Sequence, residues 1–427
     1  MKHTKTVLDN GVNIITVPLE NSPTVSVMVF TGASPLRETK DNNGISHFLE
    51  HMILSGSRKW PTLRDVSLQV DSIGAIRNGM TYKDCVQYKL KAHSKYAMDI
   101  TDMVCDFFRY PTLDTEKIEK ERKVILSEID RSMDSPGRIL YQDFSKLLYG
   151  DQPAGWKGVG EKEVVKNISR DQLLAYHADN YAGESTTFVI AGAGFVSDDV
   201  ISQVREYFSD LPCESKTQKY FVEKEQKRAG LSFVEKDLKQ VQLLLGFRAY
   251  PYRHPNIIIL NIIRGILGTG ASSRLLTKIR QEMGACYRLK VYTGTHHDFG
   301  NIRTITGVAP ERILEVAEVI MNEYKRMVNE KVSQEELEKA KNLQISNMYM
   351  SLENVWSYSS WYGWQDFYGQ DIISHEQREE QIKAVTAEDI QRVAKDVFVE
   401  NKLNASFVGN INDEQKEQLT KIITMDS

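Results

Sequence analysis

Three residues within five positions could do chemistry together: His47, Glu50 and His51, in the stretch "GISHFLEHMILSGS" (44–57). On an α-helix, positions i and i+4 share a face and i+3 lies beside them. His47 and His51 can therefore point at one ion, with Glu50 adjacent. Two imidazoles and a carboxylate suit zinc, and a catalytic zinc site keeps one position for water. Zinc lowers the pKa of that water towards 7, and a neighbouring carboxylate can take its proton. H-x-x-E-H is the inverted form of the zincin motif. Five residues are a short pattern, and a chain with nine histidines reaches them by chance in roughly one case in a hundred. The motif thus demands a third ligand from a second rigid element.

The segment 115–133, "TEKIEKERKVILSEIDRSM", offers one. Glu121 and Glu128 are seven residues apart, which on a helix leaves them only about 20° out of register. Ile118, Val124, Ile125 and Ile129 are expected to form its apolar contact surface. The bland alternative is a solvated edge of carboxylates beside an apolar stripe.

HFLEH, 76 further residues (52–127) and then Glu128, with Glu121 seven positions earlier, resembles the insulinase/mitochondrial processing peptidase family of zinc metallopeptidases, family M16. "ERKVILSEI" is close to that family's "ER-V-L-E". "GAIRNGMTYKDCVQY" (74–88) is similar to its "G-x-x-N-A-x-T-x-x-x-x-T-x-Y", with Gly79 where Ala is usual and Val86 where Thr is usual. "SSRLLTKIRQEMGACY" resembles the family segment that carries an Arg/Tyr pair, here Arg280 and Tyr287.

The resemblance implies one Zn2+ per chain on His47, His51 and Glu128. It implies catalytic roles for Glu50, the general base, and for Glu121, which would orient a ligand histidine or hold site charge. Arg280 and Tyr287 would steady the substrate near the scissile bond. Asn78, Gly79, Met80 and Thr81 would bind an extended peptide by strand addition. The implied activity is that of a zinc endopeptidase working on peptides or unfolded segments inside a clamshell chamber, the implied assembly a homodimer. A non-catalytic structural subunit of the same fold, or a catalytic half completed by a non-identical partner chain, stay open as alternatives. The two departures leave the subsite preferences open.

The elements that must position these residues follow from patterning. Strand-like runs at 13–19, 24–30, 87–93 and 186–194 alternate with helical ones at 44–55, 96–109, 115–133, 138–149, 169–180 and 197–209. Asp41 to Asn43 are cap candidates for the first helix. The order then restarts: 241–251 is like 24–30, 257–268 like 44–55, 384–398 like 167–181, and 404–411 like 186–194. Such a repeat predicts an α+β fold of two homologous halves, each a mainly antiparallel sheet packed with helices, which the resemblance names as the LuxS/MPP-like metallohydrolase fold. The expected divisions are a catalytic zinc domain (1–211), a charged linker (212–230) and a metal-free homologous domain (231–427) that carries the Arg/Tyr pair.

With 427 residues, 41% hydrophobic and 26% charged, the chain exceeds one ordinary core. A net charge of −4 argues against a nucleic-acid partner. Cys85, Cys105, Cys213 and Cys286 are widely spaced and read as free thiols. No apolar run is long enough to span a bilayer. The absence of a recognisable leader gives a cytoplasmic location as the expectation. His296 and His297 read as a surface turn, and His93 and His177 as core or surface residues. The glycine-rich stretches at 191–195 and 268–273 do not complete a dinucleotide fingerprint.

Overall fold

A computed structural model describes residues 3–223 and 225–425. Among these described residues are eleven strands: β1 (Thr4–Val7), β2 (Asn13–Pro18), β3 (Thr24–Thr31), β4 (Ile76–Thr81), β5 (Val86–His93), β6 (Thr186–Gly192), β7 (Gly230–Glu235), β8 (Val241–Ala249), β9 (Cys286–Thr295), β10 (Gly300–Val308) and β11 (Leu403–Gly409). The first six form one sheet in the order β1-β2-β6-β3-β5-β4, and the rest another in the order β7-β11-β8-β10-β9. In each sheet one pair is parallel, β2 with β6 and β7 with β11, and every other pair is antiparallel. From β2 and from β7 onward the two orders correspond strand for strand, so the repeat read in the sequence is a repeat of topology.

The chain divides into two compact units. One comprises Met1–Asp130, Lys157–Tyr220 and Ser351–Ile372, the other Arg131–Trp156, Phe221–Met350 and Ile373–Ser427. This differs from a simple cut at 212–230. The helix Pro136–Tyr149, from the first half of the sequence, packs on β11, β8 and β7, whereas the helix Val355–Phe367, from the second half, packs on β6, β3 and β2. The physical reason is that each sheet has two faces to cover. In the first unit, Val25, Val27, Val29, Tyr88 and Leu90 face a core shared with the helices Ile45–Leu54 and Ala97–Arg109. Residues of opposite parity, Met28, Phe30 and Val189, face Val355, Tyr362 and Trp364 of the exchanged helix. Phe30 sits edge-on to Trp364 at 4.9 Å. The Ser26 and Ser359 hydroxyls lie 2.6 Å apart. A linear reading of hydropathy places a helix beside its sequence neighbours and does not see this exchange.

Other expectations meet corrections of detail. The helix expected over 44–55 is Ile45–Leu54, and its N-cap is Gly44, at φ +100° with no side-chain cap of its own, rather than a residue of 41–43. The helix Thr115–Asp134 buries Ile118, Ile125 and Ile129, but Val124 is exposed. Position 124 lies about 240° round the helix from 118, on the opposite face, whereas 125 and 129 return to within about 20° of it. The helices Leu63–Ser72, Val355–Phe367, His375–Lys383 and Asp413–Ile422 and the π-helix Leu276–Glu282 had no sequence assignment. No helix among the described residues is long and apolar enough to cross a membrane. All four cysteines are free.

Candidate metal centre

The Ile45–Leu54 helix buries Ile45, Phe48, Leu49, Met52 and Ile53, a stripe at helical spacing. His47, Glu50 and His51 occupy the other face. The helix start is held by a residue outside it. The fully buried Glu38 carboxylate accepts from the Gly44 N–H (2.8 Å), the Ser46 N–H (3.0 Å) and the Asn43 amide (2.9 Å). It thus satisfies two backbone donors at the positive end of the helix dipole. Burial pushes its carboxyl up, against the pull of these hydrogen bonds.

The second element is the Thr115–Asp134 helix. Besides its isoleucines, Arg122 anchors it by donating to the Val165 and Ile168 carbonyls at 2.5 and 2.8 Å. Glu128 Oε2 lies 3.7 Å from His47 Nε2 and 3.6 Å from His51 Nε2. One ligand atom from each of the three side chains falls within 4.8 Å of the others. Ligands about 2.0–2.1 Å from a tetrahedral ion lie roughly 3.4 Å from one another, so this donor set fits zinc in both chemistry and spacing. Glu121 Oε2 is 3.3 Å from Nδ1 of His51, the nitrogen turned away from Glu128. Outer carboxylates of this kind fix the tautomer and orientation of a ligating histidine. Burial pulls the His51 imidazole down, but the Glu121 hydrogen bond and the charges of Glu128, Glu50 and Glu121 outweigh it and leave it above its ordinary value.

Glu50 lies between this cluster and β4. Its Oε2 accepts a hydrogen bond from the Thr81 hydroxyl. Burial raises its pKa, against the lowering influence of Thr81 and His51. Gly79 faces it so closely that a Cβ there would lie 2.7 Å from Oε1 and 2.6 Å from Leu54 Cδ1. The missing side chain is what gives Oε1 its room, a role the sequence comparison with Ala left open. β4 is the edge of its sheet, with no strand on its outer side among the described residues. Arg77, Gly79 and Thr81 face Glu50, whereas Ile76, Asn78 and Met80 are exposed on the other face. Of the four residues expected to hold peptide, Gly79 and Thr81 therefore adjoin the cluster, while the side chains of Asn78 and Met80 point away from it.

Arg280 and Tyr287 belong to the second unit. Arg280 sits in the π-helix Leu276–Glu282, a rare form often found at functional positions. Its guanidinium lies 5.7 Å from the centre of the Tyr287 ring, which is highly exposed at the start of β9. The π-helix is anchored through Lys278, 2.5 Å from the fully buried Glu323, which also pairs with Arg326 at 2.9 Å. Sequence reasoning missed Glu38, Glu323 and Thr81's hydrogen bond. The first two carry no local signal, because their partners come from tertiary packing.

Comparison with known proteins identifies the family. Residues 13–157 match the family model described as insulinase (peptidase family M16), and residues 167–344 the one described as peptidase M16 inactive domain. The chain is 30% identical over 405 residues to an uncharacterized zinc protease of Rickettsia bellii, covering 93% of this chain and 95% of the relative. It is 29% identical over 398 residues to the uncharacterized zinc protease YmxG of Bacillus subtilis, covering 92% and 95%. The β subunit of the mitochondrial-processing peptidase of Dictyostelium discoideum is 24% identical over 407 residues, covering 91% and 85%. The crystal structure of a protease from Helicobacter pylori has the same fold, with a TM-score of 0.88 at 20% identity over 96% of this chain and 99% of that one. With family models matching 13–157 and 167–344, and 93% of the chain aligned to a relative 30% identical, this chain belongs to the M16 family of zinc proteases.

Proposed function

We propose that the protein is a zinc endopeptidase that cleaves peptides or unfolded polypeptide segments, with Glu50 as general base. The observation that carries this reading is the convergence of His47 Nε2, His51 Nε2 and Glu128 Oε2 on one point, with Glu50 alongside. His47, His51 and Glu128 would hold one ion. When bound, zinc supplies Lewis acidity, making water acidic near neutral pH and polarising a carbonyl.

The rest belongs to the chain's own side chains. Oε2 of Glu50 is engaged by Thr81, so Oε1, beside Gly79, is the atom that receives the proton of the attacking water and returns it to the leaving amine. Glu121 holds the His51 ring in place. The free edge of β4 offers backbone groups to an extended substrate, which puts alternate substrate side chains on the Glu50 face. Arg280 and Tyr287 supply a cation and a phenol for the carbonyl oxygen as it gains charge. The assembly we infer is a homodimer in which the second half of one protomer closes a clamshell chamber over the metal centre of the other.

Metal analysis and cleavage of an internally quenched peptide test this together. The Glu50→Gln protein is expected to keep its zinc and to lose activity by about a thousandfold or more. Full cleavage by that variant would overturn the assignment. Light scattering that shows a fully active monomer would reject the homodimer.

A further inference from the structure

The sheet face opposite Glu50 carries charges that the chemistry above does not use. In β5, Tyr88, Leu90 and Ala92 point into the core, and Lys89 and Lys91 point to the other side. Registered beside them on β4 are Asn78, opposite Lys89, and Ile76, opposite Lys91. The two ammonium groups lie 5.1 and 4.8 Å from the ring of Trp356, on the exchanged helix. Among the described residues no carboxylate pairs with either of them within 4 Å. Lysines on edge strands commonly serve to block aberrant pairing. That account does not apply here, because β5 lies between β3 and β4. Half-buried cations without counter-charges, on a chain of net charge −4, call for a different reason.

The equivalent ribbon of the second unit also carries cations, there mostly on its edge strand β9. Arg288, Lys290 and Tyr292 of β9 alternate onto the face opposite Leu289 and Val291. Arg303 of β10 is registered against Tyr292, and its guanidinium lies 5.7 Å from that ring and 5.1 Å from the ring of Tyr141. None of these three cations has a carboxylate partner among the described residues either.

We propose that the open face of the β4–β5 ribbon is a subsite for acidic side chains, with Lys89 and Lys91 as specificity-determining residues. The inference rests on the peptidase reading and names its substrate class: extended segments with Asp or Glu at alternate positions. A chain running along the free edge of β4 turns every second side chain towards Glu50 and the others to the opposite face. On that face the exposed Ile76 and Met80 provide apolar contact, and Lys89 and Lys91 provide charge.

The test uses full-length Glu50→Gln protein and fluorescein-labelled peptides of about ten residues, identical except for Glu, Gln or Lys at alternate positions. Anisotropy is expected to show the Glu peptide bound about tenfold more tightly than the Lys peptide, with the gap narrowing as salt rises from about 50 to about 300 mM. Adding Lys89→Glu and Lys91→Glu should reverse the order, whereas Lys421→Glu, a surface cation on the helix Asp413–Ile422, should not. If the double variant is poorly folded by circular dichroism, the single Lys89→Gln and Lys91→Gln variants should each cut the preference severalfold. Equal binding of the three peptides, or a preference that survives these substitutions, overturns the subsite. The two readings fail separately: a wild-type protein that binds zinc but cleaves nothing sinks the peptidase, and the order of peptide binding decides the subsite in either case.

Discussion

Among single residues, Glu38 illustrates how a site depends on groups outside its motif. It is fully buried and satisfies two N–H groups at the start of the helix that carries His47, Glu50 and His51. Replacement by Ala leaves those donors without a partner, at a cost of about 1–3 kcal/mol. Glu38→Gln keeps the shape and loses the charge, and should cost less. Urea denaturation gives the stability difference, and zinc affinity in a competition assay should fall with it, because the first turn of the metal-binding helix frays. An Ala variant with unaltered stability and zinc affinity would show that the cap does no such positioning.

His177 sets a pH limit at the same scale. Its Nε2 donates to the Phe108 carbonyl at 2.9 Å, and burial holds the imidazole down at about 4. The folded-state pKa thus lies below the unfolded value of 6.5, so the unfolded chain binds more protons between those limits. Stability is complete above pH 6.5 and falls as the pH drops towards 4, with about 2 kcal/mol lost by pH 5. His177→Gln removes the titrating group and should flatten this part of the stability–pH curve. A curve of unchanged slope would assign the acid sensitivity elsewhere.

The informative elements are the exchanged helices. The Val355–Phe367 helix docks closely on its sheet because Ser359 and Gly363, four residues apart, carry little side chain. A Cβ at Gly363 would lie 2.2–3.1 Å from three atoms of the Phe30 ring. Gly363→Ala should therefore force this ring or the helix aside and destabilise the first unit by about 1–3 kcal/mol, despite the better helix propensity of Ala. Thermal denaturation reads the sign directly. The same element explains a limit of pattern reading. The 138–149 helix was legible from its periodicity, but its destination was not, since amphipathicity shows that a face is buried and not against what. The 355–367 helix was missed altogether because its tryptophans, tyrosines and serines are distributed around it, without a clear apolar stripe.

Across the whole molecule, this exchange ties the halves together in folding. A fragment ending near residue 220 contains β1 to β6 but lacks the helix that covers Met28, Phe30 and Val189. Residues 1–220 and 221–427 expressed separately are each expected to expose an apolar sheet face and to aggregate or remain partly folded. Co-expressed, they should assemble into a soluble complex of native mass, measurable by size-exclusion chromatography with light scattering. Independent, cooperative folding of either fragment would contradict this.

What the sequence by itself determined was the local chemistry and the order of elements. The spacing of His47, Glu50 and His51 and the seven-residue step from Glu121 to Glu128 are properties of single helices, where 3.6 residues per turn decides which side chains share a face. The repeat was legible for the same reason, through strand and helix periods that each segment carries internally. Tertiary structure alone decided which helix covers which sheet, that Glu38 caps from outside the helix, and that Gly79 and Thr81 frame the two oxygens of Glu50. Each of these depends on surfaces brought together from distant parts of the chain, and long-range packing leaves no periodic trace in the residues it joins.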